Sequence, residues 1–258
     1  MAAARPLPAG PRGAPLRVLR PRLAGGARTT VYVAEHDARR TDVRVAVLGP
    51  PRALAAWCRA HGHQEAIVGG FFARPGGTPL GELRTGGIER AHVPFAAPWG
   101  ARRACVHVDG GRLRLTPRSE LSAAPRGDLL QAGPLLVRDG APCLQDGDDA
   151  EGFSAASGQF DSDITVGRYP RAALGVAGSR LLAVACDGRD HDDAGLSLPE
   201  LAHLMAELGA RHAINLDGGG STSLVTGGRL RNVPREQHGR TVTGGRAVST
   251  ALLFVPRA

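Results

Sequence analysis

The most regular hydrophobic pattern lies in the last third of the chain. Residues 180–186, Arg-Leu-Leu-Ala-Val-Ala-Cys, form a continuous apolar run of strand length, as expected for a strand covered on both faces. Residues 197–208 switch to a helical period, with Leu198, Leu201, Leu204, Met205 and Leu208 on one stripe. Ser197 and Glu200 are spaced as a capping box, Pro199 falls in the first turn, and Gly209 supplies a stop. A second apolar segment follows at 212–216. Strand, helix and strand with short connections predict a βαβ unit with parallel strands and a right-handed crossover. Both strands then end at one sheet edge, so Asp187-Gly188-Arg189 and Asp217-Gly218-Gly219-Gly220-Ser221 are expected to emerge side by side where open α/β sheets place ligands.

The N-terminal two thirds are broken more often by Gly and Pro. Alternation predicts strands at 29–35 and 43–48, a short helix at 51–60, and a strand at 65–72 that runs into Gly69-Gly70-Phe71-Phe72. Residues 74–87 read as loop. A hairpin is expected from 104–108 and 112–115 around Asp109-Gly110-Gly111. Residues 129–137 read as one segment, interrupted by Gly133-Pro134 and closed by a turn at Asp139-Gly140. Residues 145–163 hold six carboxylates without regular period and are expected to form a mobile surface loop or lid. Residues 1–28, rich in Pro, Arg and Gly, predict a disordered tail before one domain at 29–258. The expected architecture is mixed α/β (α+β), with a strand-rich mixed sheet, few helices and the βαβ unit carrying the site.

Composition narrows the function classes. The formal charge is +8, but all 32 basic residues are arginine, scattered and without an interleaved aromatic platform, which argues against nucleic acid as a partner. No 18-residue apolar run predicts a membrane span. Cys58, Cys105, Cys143 and Cys186 form no C-x-x-C pair, so no zinc site is expected. With no apolar core of a signal peptide near the N-terminus, the chain reads as cytoplasmic. Nothing in the sequence speaks to oligomeric state.

The candidate chemistry centres on the Asn215-Leu216-Asp217 strand end and the glycines after it. Three glycines let a ligand approach the backbone, successive amides can form an anion nest, and Ser221 and Thr222 add hydroxyls. No P-loop lysine is present. The acidic run from Asp187 to Asp193 offers oxygen ligands, but without the spacing of a calcium loop, so no cofactor is expected and a divalent cation is not favoured.

These residues resemble the phosphodiester glycosidase family. Its closing region has a strand ending in Asp-Gly-Arg, a capped Leu-rich helix and an Asn-Leu-Asp-Gly-Gly-Gly-Ser segment. Four further pieces match in order: 66–72 (Ala-Ile-Val-Gly-Gly-Phe-Phe), 133–137 (Gly-Pro-Leu-Leu-Val), 170–175 (Pro-Arg-Ala-Ala-Leu-Gly) and 246–252. Val68 stands where the family has Asn, Ala172 where it has Thr, and Ser249-Thr250 where it has Ala-Asn.

The resemblance implies hydrolysis of a sugar–phosphate diester at the anomeric carbon. An oxocarbenium-like transition state needs a carboxylate, for which Asp217 is the first candidate and Asp187 the second. Asn215 is expected to orient a sugar hydroxyl or the attacking water. Arg171, Arg189 and Arg246 are the candidate phosphate partners, since a guanidinium pairs bidentately with phosphate oxygens. The amides of Gly69, Gly70, Gly218, Gly219 and Gly220, with Ser221 and Thr222, are expected to complete the cradle. The partner is then a small-molecule or glycan sugar phosphate. Two other readings fit the same residues: a biosynthetic enzyme acting on a sugar-bearing small molecule, and a catalytically weak sugar-phosphate binding protein.

Overall fold

Burial on both faces decides how the last third of the chain packs. The computed structural model describes residues 13–145, 147–154 and 164–257. Its largest sheet has seven strands in the order β1 (Leu16–Leu19), β2 (Val31–Asp37), β13 (Arg180–Cys186), β12 (Arg171–Ala177), β14 (His212–Asn215), β10 (Leu135–Arg138) and β11 (Ala141–Pro142). Along β13, Leu181, Ala183 and Ala185 enter one core cluster while Leu182, Val184 and Cys186 enter another. The second cluster lies under helix α3 (Leu198–Glu207), whose Leu198, Leu201, Ala202, Leu204 and Met205 are buried. The first lies between the large sheet and its two companions.

The companion sheets have five strands each. One runs β16 (Arg229–Leu230), β15 (Leu224–Thr226), β4 (Ala66–Val68), β17 (Ala247–Pro256), β3 (Thr41–Ala53). The other runs β6 (Ile88–Glu89), β5 (Leu83–Thr85), β9 (Asp128–Gln131), β7 (Ala104–Asp109), β8 (Arg112–Pro117). Two further helices, α1 (Leu54–His61) and α2 (Trp99–Arg102), are short.

The βαβ unit forms with one change. β13 and β14 each pair antiparallel with β12, so they are parallel to each other but separated by that strand. Asp187 and Asp217 therefore emerge at the same edge without being side by side. α3 carries the expected capping box, with the Glu200 amide donating to Ser197 Oγ at 3.2 Å and the Ser197 amide to Glu200 Oε2 at 2.9 Å.

Other boundaries move for local reasons. Residues 13–28 are not all tail, because β1 pairs with β2 from Leu16↔Ala34 to Leu19↔Val31; residues 1–12 lie outside the described residues. The helix expected at 51–60 begins at Leu54, since Pro51 continues β3, and it ends on a left-handed Gly62 (φ 75°). The strand expected through Phe72 stops at Val68. A Cβ on Gly69 would lie 2.9 Å from the Thr250 carbonyl carbon, so the chain turns out of the ladder where only glycine fits against β17. Residues 129–137 split at Gly133-Pro134 into β9 and β10, which belong to different sheets. Within 74–87, expected to be loop, Leu83–Thr85 pairs as β5. Of the acidic interval expected to be a lid, residues 146 and 155–163 lie outside the described residues. The part between them is anchored: Glu151 accepts the amides of Leu135 (2.6 Å) and Ala104 (2.8 Å).

Candidate active site

Three strand ends meet at one edge of the large sheet: the ends of β13 and β14 and the start of β12, with Arg171 opposite Cys186 and Ala173 opposite Asn215. Above them opens a cleft of about 820 Å³, walled by the residues after β4 (Phe71, Phe72, Arg74), by Tyr169 to Arg171, by Asn215 to Gly219 and Ser221, by Arg189, and by Glu236 to His238, Arg240 and Arg246.

Asp217 sits on the floor. Its Oδ1 accepts the Gly218 amide at 2.8 Å, and its own amide donates to the Gly69 carbonyl at 3.0 Å, which fixes the β14 terminus against the turn after β4. Burial raises its pKa to about 6; the Ser221 hydroxyl, Arg246, the Gly218 amide and Arg74 pull the other way without cancelling the rise. Ser221 Oγ lies beside this carboxylate but meets no partner in good hydrogen-bond geometry. Asn215 donates from Nδ2 to the Gly133 carbonyl at 2.9 Å, leaving its buried Oδ1 unpaired. Arg246 has a buried Nε–H without a partner. Asn215 and Arg246 thus carry unmatched hydrogen-bonding groups beside one raised carboxylate, a condition that structural cores avoid.

The arginines divide by role. Arg171 is 3% exposed and ties the cleft wall together, donating from Nε to the Leu196 carbonyl at 3.1 Å and from Nη2 to Ile164 at 2.9 Å. The Tyr169 ring has Arg171 and Arg189 against it at 5.3 and 5.4 Å. Arg189, in a left-handed conformation (φ 62°), donates to the Arg235 carbonyl at 3.1 Å. Burial lowers its pKa, and Arg246 adds to the lowering.

Eight of the expected residues line the cleft: Asn215, Asp217, Gly218, Gly219, Ser221, Arg171, Arg189 and Arg246. Five do not. Asp187 is 2% exposed and turned away; its Oδ1 accepts the Val233 amide at 2.6 Å and its Oδ2 the Tyr32 hydroxyl at 3.1 Å. It ties β2 to the 233 loop, and among the described residues the carboxylate that shares the cleft with Asp217 is Glu236. Thr222 is wholly buried behind the turn, and Gly220 lies beneath the Glu236 and Arg246 side chains.

Four of the five amides expected to form a nest are taken by the fold itself. The Gly69 and Gly70 amides donate to Thr250 O and Oγ1, the Gly218 amide to Asp217, and the Gly219 amide to the Pro170 carbonyl at 2.8 Å. These glycines serve close packing instead: a Cβ on Gly218 would lie 2.8 Å from the Pro170 carbonyl oxygen. Nor do the unusual positions 68 and 172 alter the wall, since Val68 and Ala172 point into the core cluster.

Sequence reasoning missed Arg74, Tyr169, Glu236, His238 and Arg240. The first two adjoin the 66–72 and 170–175 segments and were within reach, whereas 236–240 has no periodicity to betray it. Among the described residues no three His, Cys, Asp or Glu side chains converge to hold a metal, and no helix is long and apolar enough to cross a membrane.

The sequence model of the phosphodiester glycosidase family matches residues 61–255. The N-acetylglucosamine-1-phosphodiester alpha-N-acetylglucosaminidase of Bos taurus is 29% identical over 182 residues, a match taking in 69% of this chain and 34% of that protein, so the chain spans about a third of the length of this curated relative. Among solved structures, the catalytic domain of the zebrafish N-acetylglucosamine-1-phosphodiester alpha-N-acetylglucosaminidase, auto-inhibited by its pro-peptide, superposes with a TM-score of 0.70 at 19% identity, covering 100% of this chain and 87% of that one. A hypothetical protein from Synechocystis gives 0.63 at 19% identity, covering 94% and 62%. A protein of Burkholderia pseudomallei described as exported gives 0.62 at 19% identity, covering 90% and 74%. The cytoplasmic location expected from the sequence does not stand beside that exported neighbour. With the matched span taking in the whole strand-helix-strand core and most of the cleft wall, the chain belongs to the phosphodiester glycosidase family.

Proposed function

We propose that the chain hydrolyses a glycosyl phosphodiester at the anomeric carbon, with Asp217 as the essential carboxylate. The observation that carries this reading is the pair of unpartnered groups, Asn215 Oδ1 and Arg246 Nε, gathered in the same cleft as a carboxylate whose pKa lies near 6. At neutral pH Asp217 is largely ionised yet basic enough to take a proton from water. The water oxygen bonds to the anomeric carbon, its proton passes to Asp217, and the bond from that carbon to the phosphate oxygen breaks. The electron pair leaves with the oxygen, releasing a phosphomonoester. Arg246 balances the charge that grows on the leaving group, a task suited to a guanidinium and needing no strong general acid. Asn215 Oδ1 accepts a hydrogen bond from a sugar hydroxyl.

The activity named for the Bos taurus relative makes an N-acetylglucosaminyl phosphodiester the first compound to try. Release of reducing sugar from its methyl phosphodiester is expected, with Asp217→Asn slower by about 10²–10⁴-fold. Full turnover by that variant would remove Asp217 from the mechanism, and no turnover of any sugar phosphodiester would remove the reading.

A further inference from the structure

The described wall of the cleft carries more arginines than carboxylates. Among the described residues five arginines line it, Arg74, Arg171, Arg189, Arg240 and Arg246, with two carboxylates, Asp217 and Glu236. Arg240 pairs with Glu236, and Arg171 is spent on backbone carbonyls. Arg189 and Arg246 have no carboxylate ion pair among the described residues.

The charges of these two side chains act on one another. A Cβ on Gly219 would lie 3.2 Å from Arg189 Nη1, and one on Gly220 would lie 3.4 Å from Arg246 Nε. The two side chains thus pack over consecutive residues of one glycine turn. Like charges this near repel, and a low-dielectric wall strengthens the repulsion. The Tyr169 ring against Arg189 and the Glu236 carboxylate, whose charge acts on both arginines, offset part of it. Two adjacent anionic groups on one ligand would relieve the rest, each facing its own fork.

Building on the glycosidase reading, we infer that the preferred substrate is a glycosyl diphosphate ester, with Arg246 on the phosphate at the anomeric carbon and Arg189 on the second phosphate. The bond changes are those of the phosphodiester reaction: water adds to the anomeric carbon, its proton goes to Asp217, and the electron pair of the broken bond leaves with the diphosphate monoester. Arg246 lies close enough for its charge to act on Asp217, which places the first phosphate beside the reacting carbon; Arg189, one turn residue along, takes the outer one.

The test compares three N-acetylglucosaminyl esters: a methyl phosphodiester, a methyl diphosphate, and a phosphodiester whose aglycone bears a carboxylate. Wild type is expected to favour the diphosphate in kcat/KM by about tenfold over both others, and Arg189→Met to bring the ratio towards one. Equal turnover of all three, a carboxylate ester as good as the diphosphate, or a preference that survives Arg189→Met overturns the inference. If none is cleaved, the glycosidase reading fails separately, and calorimetry decides the two-phosphate site. Inorganic pyrophosphate should then bind about tenfold more tightly than inorganic phosphate, with Arg189→Met losing the difference. Equal binding of the two anions by wild type overturns the site.

Discussion

Asp217 is the residue whose ionisation should set the acid limb of activity. With its pKa raised to about 6, kcat/KM is expected to fall tenfold per pH unit below that value, and a limb near 4 would remove Asp217 as the titrating group. The same rise bears on stability. A carboxylate whose folded pKa lies above its unfolded value contributes stability below the unfolded pKa and loses it as pH rises through 6. Asp217→Asn keeps an oxygen for the Gly218 amide and has no charge to bury, so at pH 8 it should melt no lower than wild type. Lost activity with an undiminished melting temperature is therefore the signature of a chemical role. Arg246 gives a second residue-scale prediction. Arg246→Met should lower kcat by about 10²–10³-fold, and Arg246→Lys should recover only part, because an ammonium lacks the planar fork. Full recovery by Lys would show that charge alone suffices.

At the scale of elements, α3 holds its place through reciprocal bonds between Ser197 and Glu200, and Arg168 adds Nε contacts to both Glu200 oxygens at 3.0 Å. Ser197→Ala should destabilise the fold by about 1 kcal/mol in urea unfolding while leaving kcat unchanged, since α3 packs on the sheet face away from the first core cluster and its cap does not line the cleft. A cost near zero would mean that burial of the leucine stripe alone places the helix. This helix and its flanking strands were legible because their signals are local: a capping box, a 3.6-residue stripe, and apolar runs too short to be anything but strands. β12 was not legible as a strand. Arg-Ala-Ala-Leu-Gly-Val-Ala is weak in β-branched residues, and its place between β13 and β14 comes from pairing on both sides. The amide nest failed for a related reason. The sequence shows that Gly218 and Gly219 need freedom, but not whether a ligand or the Pro170 carbonyl is what approaches them.

The whole molecule depends on how its three sheets are tied at their seams, and Glu151 is one such tie. Its carboxylate accepts one amide from β7, at Ala104, and one from β10, at Leu135, joining two sheets. Arg103, wholly buried between the rings of Phe95 and Phe153 at 4.1 and 4.3 Å, faces the same segment and donates from Nε to the Glu151 carbonyl at 3.0 Å. Burial raises the pKa of Glu151 to about 7; the two amides and Arg103 lower it, and Asp148 adds to the rise. Burial outweighs the amides, so the group costs the fold least when neutral. Its contribution is complete below the unfolded pKa, near 4.5, and is lost as pH climbs through 7. Glu151→Gln keeps an oxygen for one of the two amides but turns an NH2 donor on the other, so it should fall below wild type by about 1–3 kcal/mol at pH 5, with the gap narrowing by pH 8 as wild type loses the stability of its protonated form. Other titrating groups are common to both proteins and cancel in the difference. A gap that stays constant between pH 5 and 8, measured by urea unfolding, would show that Glu151 ionises in the folded protein as freely as in the unfolded chain. The seam would then rest on the Phe95–Arg103–Phe153 stack instead.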